Sequence, residues 1–374
     1  MRCSLFLLAL LCTFGAQAAP PPPIATLDRS TWPEQVNSPV LFDVASRAHV
    51  LMFARALADS EALDDAGLGK RLGLRQINRQ SIDALRERLW QKLWRNFDQA
   101  QQSCDQDASF CFAIDDLPAL RAQAVDYEVD ADSFYIGWAP AGLAFSESYL
   151  DELLRQAALF PQISSEIERF SDLELNGDRF SDRLFLLTFE GGPTAEGGVT
   201  DGLAEYLRKQ QINGTFFVLG NSLRSRQQKT SSAQLQGLYQ GQCVGVQGWQ
   251  YRSHSQWVDW QDSIVRSAAQ AQGDLPDNYV ALFRPPYGQR RADSEAFFAS
   301  QNMKVALWDI DARDDDGRIN AEQAGQRVLS LMLLWRHGII VFHDTQAKAL
   351  TALPWLFKET AQSGIGWQDC REFQ

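Results

Sequence analysis

Apolar residues recur with two different rhythms along this chain. From about Ser46 to Phe170 the spacing is helical. Between Ser81 and Phe97, Ile82, Leu85, Leu89, Trp90, Leu93, Trp94 and Phe97 fall three and four apart on one stripe, with Ser81 placed as an N-cap. Between Ser146 and Phe160, Tyr149, Leu150, Leu153 and Leu154 repeat that spacing. The pattern predicts a helical region over residues 46–178 with a structural or docking role, because no motif within it carries chemistry.

Near Asp182 the rhythm changes. Short apolar runs ending at Glu190, Gly220, Gln247, Arg284, Asp311 and His343 alternate with amphipathic helical stretches. Runs too apolar to face water on either side imply a parallel sheet covered on both faces. The alternation predicts an α/β fold, a distorted (β/α)7-type parallel barrel over residues 182–370. Functional groups in such barrels gather at the C-terminal ends of the strands. Glu190, Gln247, Arg284, Asp309, Asp311 and His343 all stand at such ends.

The beginning of the chain reads differently again. Met1 and Arg2, the apolar stretch Leu5 to Leu11 and the small-residue pattern Ala16-Gln17-Ala18 predict a signal peptide over residues 1–18. Leu11 before Cys12 argues against lipidation, and no later apolar run is long enough to span a bilayer. The expectation is a periplasmic or secreted protein without a transmembrane segment, with a proline-rich tether over residues 19–45. Export sets the reading of the cysteines. Cys3 and Cys12 leave with the signal, and the remaining four allow three pairings. The short Cys104 to Cys111 spacing favours that pair, leaving Cys243 with Cys370; buried, reduced thiols are the alternative. A net charge of −12 and a pI near 4.9 exclude nucleic-acid or anionic-surface partners, which need basic patches.

Four stretches carry candidate chemistry: Thr188-Phe189-Glu190-Gly191-Gly192-Pro193, Arg284-Pro285-Pro286-Tyr287-Gly288, Trp308-Asp309-Ile310-Asp311-Ala312-Arg313-Asp314-Asp315, and the apolar run ending in His343-Asp344. Together they resemble the polysaccharide deacetylase family, the NodB homology domain of carbohydrate esterase family 4. Its members remove acetyl groups from N-acetylglucosamine-containing glycans or O-acetylated sugars with a divalent metal such as zinc. The resemblance implies a NodB-like barrel in which Glu190 is the general base, held ionised by Arg284, and His343 is the general acid, tuned by Asp314. It also implies that the Tyr287 backbone amide faces the oxyanion and that Trp308 and Trp249 face sugar. Trp257 and Trp260 suit a core role as well.

The family's metal ligands do not carry over. Gly245 to Tyr251 aligns with the family's G-N-H-T-W-S-H through Gly245 and Trp249, so the three ligand positions hold Gly191, Gln247 and Tyr251. Glycine offers no ligand, and an amide and a neutral phenol are poor exchanges for two imidazoles. No metal or other cofactor is therefore expected. Glu190 stands where the family has aspartate and Asp315 where it has tryptophan. A shifted metal site using His254 competes with a plain loop histidine in solvent; His49 and His337 read as structural. The expectation is an exported deacetylase-like protein that acts on or binds N-acetylated envelope glycan or peptidoglycan and is catalytically impaired. The alternatives are an active deacetylase with an atypical metal site, and an inert scaffold whose helical region docks a protein partner.

Overall fold

The computed structural model describes residues 23–373; the expected signal peptide lies outside the described residues. Five helices come first: α1 (Pro39–Glu61), α2 (Asp65–Leu72), α3 (Arg79–Ala100), α4 (Leu117–Ala124) and α5 (Ala139–Leu159). α1 starts where the Ser38 hydroxyl accepts from the Leu41 amide and Pro39 takes the first turn, inside the stretch read as a tether. The described part of that stretch, from residue 23 on, is not extended in solvent. Ala25, Leu27, Trp32 and Val36 are buried, the Ala25 amide donates to Glu152 at 2.7 Å, and its carbonyl accepts from Arg327 at 2.8 Å. The prolines drew the reading towards a linker, but the apolar residues between them have a surface to bury against.

The remaining elements are β1 (Glu174–Leu175), β2 (Leu184–Glu190), α6 (Val199–Gln210), β3 (Thr215–Val218), α7 (Gly220–Lys229), α8 (Ser232–Leu238), β4 (Cys243–Val246), α9 (Trp260–Asp274), β5 (Tyr279–Phe283), α10 (Glu295–Ser300), β6 (Lys304–Ala306), β7 (Ile310–Asp311), α11 (Ala321–Trp335), β8 (Gly338–His343), α12 (Ala347–Thr360) and β9 (Gly366–Trp367). All strand pairs are parallel, in the order β1-β6-β5-β4-β3-β2-β8-β7, with β9 beside β2. The apolar run around Trp308 is split: β6 pairs with β5 and β1, whereas β7 pairs with β8. One extended stretch thus joins the two ends of the curled sheet and closes it into a distorted barrel. β1 lies inside the range read as helical; a two-residue strand is too short to leave a periodic trace.

Strand alternation sorts the sheet into an outer face and a lumen. Leu186, Phe217, Val280, Leu282, Ala306, Ile339 and Val341 form the apolar lumen, and Gly245 is required there because a Cβ would lie 2.7 Å from the Phe217 ring. The outer face shares one continuous core with the helical layer. Buried polar contacts fix the two together: Asn96 donates to the Leu334 carbonyl at 3.0 Å, Arg336 pairs with Asp43 at 2.8 Å and Asp182 at 2.7 Å, and Arg327 pairs with Glu152 at 2.7 Å. Both favoured disulfides, Cys104–Cys111 and Cys243–Cys370, are formed. No helix among the described residues is long and apolar enough to cross a membrane.

Candidate functional site

The lumen alternation of β2, β4, β5, β6 and β8 continues through Glu190, Gln247, Arg284, Trp308 and His343, so these five side chains share the inward register at the C-terminal mouth. At its floor the Arg284 guanidinium is fully buried. It donates to Thr188 Oγ1 at 2.6 Å and to the Ala306 and Leu307 carbonyls at 3.2 and 3.1 Å, between the rings of Phe217 and Trp308. Burial lowers its pKa to about 10, against the opposing pull of Glu190; it stays charged at neutral pH. Arg284 Nη1 lies 3.9 Å from Glu190 Oε2, an atom without a protein hydrogen-bond partner.

His343, the expected acid, stands between the carboxylates of Asp314 and of Glu190, the expected base. Its Nδ1 lies 2.8 Å from Asp314 Oδ1, its backbone amide donates to Asp314 Oδ2 at 3.1 Å, and its Nε2 lies 3.4 Å from Glu190 Oε1. Asp315 Oδ2 stands 3.9 Å from the same Nε2. Burial opposes the charge on His343, but hydrogen bonds to Asp314 and Glu190 outweigh it and hold the imidazole well above its ordinary pKa. The Asp314 carboxyl is itself raised by burial, with His343 pulling the other way.

The Glu190-Gly191-Gly192 turn is fixed by a residue that sequence reasoning did not single out. Buried Asp344 accepts from the Gly192 amide at 2.8 Å and from Thr200 Oγ1 at 2.9 Å, and burial pushes its pKa up to about 7. A Cβ on Gly192 would lie 2.0 Å from Asp344 Oδ2, so only glycine fits. Thr188 was given no role either; it donates to the Ile340 carbonyl at 2.7 Å and accepts from Arg284. The sequence signal for each was its place inside a recognised motif.

At the positions that the resemblance assigns to the metal ligands, Gly191 has φ +99°, and the Gln247 side chain is fully buried with neither Oε1 nor Nε2 hydrogen-bonded to protein. The Tyr251 ring meets Tyr287 edge to face; burial and the nearby charge of Glu190 raise the phenol pKa, so the oxygen keeps its proton. A backbone turn, an amide and a neutral phenol do not fit a divalent metal that needs three strong donors. Tyr287 itself is exposed and adopts a left-handed φ of 60°.

Other expected residues are placed elsewhere. Trp249 does not face the cluster: its ring lies against Gly220 and under the Arg266 guanidinium, because Gly220 leaves a slot that the indole fills. Trp257 lies under the Arg252 guanidinium and meets His254 edge to face, and Trp260 meets Phe297 edge to face. His254 is neither a solvent loop residue nor near a carboxylate. It is buried, 3.1 Å from Ser263 Oγ and edge-on to Phe283, and burial lowers its pKa to about 4. Asp309 closes the barrel seam, accepting from the Gly177 and Ile339 amides at 2.8 Å each, and Asp311 accepts from the Arg313 amide. His49 packs among Trp138 and Phe145.

Among solved structures, the chain is similar to a family 4 carbohydrate esterase pseudoenzyme from Bacillus anthracis, with 17% identity, a TM-score of 0.47, and coverage of 55% of this chain and 70% of that one. It is also similar to a peptidoglycan deacetylase from Bacillus subtilis, with 24% identity, a TM-score of 0.41, and coverage of 50% and 87%. A family 4 carbohydrate esterase from Streptomyces lividans matches with 24% identity, a TM-score of 0.41, and coverage of 49% and 90%. Residues 177–306 match the family model described as polysaccharide deacetylase, a segment that holds Glu190, Gln247, Arg284 and Tyr287; over that segment the chain is similar to polysaccharide deacetylases.

Proposed function

We propose that this chain is an exported, catalytically impaired polysaccharide deacetylase-like protein that binds N-acetylated envelope glycan, peptidoglycan being the natural candidate. One observation carries the reading: Gln247, where the family keeps a metal-ligating histidine, is a buried amide without protein partners for either polar atom. Leaving such atoms unpaired costs about 1–3 kcal/mol each. A substrate acetamide is the complement of such a group, its carbonyl accepting from Nε2 and its N–H donating to Oε1. The protonated His343 adds a charged donor and Glu190 an acceptor. These groups hold the ground state of an amide. Without a metal, water keeps a pKa near 15.7 instead of about 7, and no competent nucleophile forms. The two disulfides and the N-terminal stretch support export.

A second reading, an active enzyme with an atypical metal, draws on Asp314, Asp315 and His343, whose donor atoms lie within 4.8 Å of one another. A metal there has to displace the proton that Asp314 and Glu190 hold on His343, which disfavours it at neutral pH. Calorimetric titration of the mature chain with tri-N-acetylchitotriose tests the binding reading. Binding near millimolar, about 4 kcal/mol, is expected; Gln247→Leu weakens it at least tenfold while raising the melting temperature, since the orphaned amide is gone. Undiminished binding in a folded Gln247→Leu protein would overturn the assignment.

A further inference from the structure

No helix follows β6 to cover it, because only residues 307–309 separate it from β7. α3 and α5 instead enclose a cavity of about 600 Å³ together with the Trp308–Arg313 stretch that follows β6. This volume falls within the roughly 300–1,000 Å³ of small-molecule sites. Trp308 lines the cavity and its ring also lies 5.5 Å from the Arg284 guanidinium of the mouth, but Glu190, Gln247, Arg284 and His343 are not among the cavity's lining residues.

The lining has a distinct chemistry. The aromatic side chains Trp308, Tyr149 and Trp335 line it, and the Tyr149 hydroxyl accepts from Trp335 Nε1 at 3.0 Å, leaving its own proton to give. The Trp308 indole N–H and the Gln156 side-chain carbonyl are buried in the wall without protein partners. Gln156 Nε2 donates at 2.7 Å to Glu166, whose carboxyl burial raises to about 7. Several of the charged groups are paired: Lys92 bridges Asp178 and Asp309 at 3.5 Å each, and Arg327 holds Glu152, whereas Arg95 lines the cavity without an ion pair among the described residues. A charged ligand would compete with these pairs. A neutral ligand rich in hydroxyl or amide groups, with an apolar ring face for the indole, would not.

We propose that this cavity is a second saccharide-binding site, separate from the Glu190–His343 mouth and formed jointly by the helical layer and the barrel. The choice of an N-acetylated sugar rests on the glycan reading above; the preference for a neutral, hydroxyl-rich ligand rests on the cavity alone. Ala84 is exposed on α3 at the cavity rim, so Ala84→Trp blocks entry without disturbing the core, and Gln156→Leu removes the orphaned carbonyl. Calorimetry with tri-N-acetylchitotriose and with maltotriose, on the full mature chain, is the test. In a Gln247→Leu background, residual saccharide binding is expected to fall at least tenfold on adding Ala84→Trp, and also on adding Gln156→Leu. Loss of all binding in Gln247→Leu alone, or residual binding indifferent to both cavity variants, overturns the second site. Binding lost with Ala84→Trp but untouched by Gln247→Leu keeps the cavity and removes the mouth from the account. Absence of binding of either sugar to the parent chain overturns both.

Discussion

His343 Nε2 lies 3.4 Å from Glu190 Oε1, so the groups that the family resemblance casts as acid and base meet each other directly. The extra methylene of glutamate, relative to the family's aspartate, gives the carboxylate the reach for this contact. An acid and a base that neutralise one another are poorly placed to work on opposite sides of a scissile bond.

Glu190→Asp should therefore withdraw the carboxylate and lower the pKa of His343 towards its ordinary value, since one of its two carboxylate partners recedes. Titration of the imidazole carbons by NMR reads this directly. An unchanged His343 titration would mean that Asp314 alone sets the charge.

The apolar rhythm made the parallel sheet and its strand ends legible, and with them Glu190, Arg284 and His343, because lumen and outer positions alternate strictly along each strand. What it concealed were contacts between residues distant in sequence. Strand-end position alone does not separate Asp309 and Asp311 from Asp314, which the family resemblance picked out; only Asp314 meets His343, while Asp309 accepts from the Gly177 and Ile339 amides. Trp249 sits inside a site motif but turns into the slot at Gly220, a space that no spacing rule reveals. The role of Asp344 depends on the close approach of Gly192, and the burial of Leu27 and Trp32 depends on a surface supplied by elements more than a hundred residues away.

Asp344 supplies a pH-dependent term in stability. Its folded pKa of about 7 stands above the ordinary 3.8, so the folded state holds a proton that the unfolded chain has released. That contribution is fully present below pH ~4 and is lost as pH rises to about 7, at up to ~1.4 kcal/mol per unit. Asp344→Asn keeps an acceptor for the Gly192 amide and a polar contact for Thr200 without the charge. Its melting temperature relative to the parent should climb between pH 4 and 7; a constant difference across that range would contradict the assignment.

Rebuilding the family ligand set should be possible but costly. Gly191→Asp with Gln247→His and Tyr251→His supplies three donors at strand ends. Gly191 has φ +99°, a conformation side-chain-bearing residues rarely adopt, so Gly191→Asp alone should destabilise the chain by about 1–3 kcal/mol. In the triple variant, added zinc should recover that loss as a rise in melting temperature, with Glu190→Asp then permitting weak acetate release. A triple variant whose melting temperature ignores zinc would show that the mouth no longer converges on the family geometry.

The most direct test of a glycan-binding mouth without a metal is elemental analysis of the purified mature chain for zinc, cobalt, nickel and manganese after dialysis at neutral pH. The ligand positions Gly191, Gln247 and Tyr251, and a His343 kept protonated between Asp314 and Glu190, predict far less than one metal per chain. About one tightly held metal per chain, lost on His343→Ala, would contradict it.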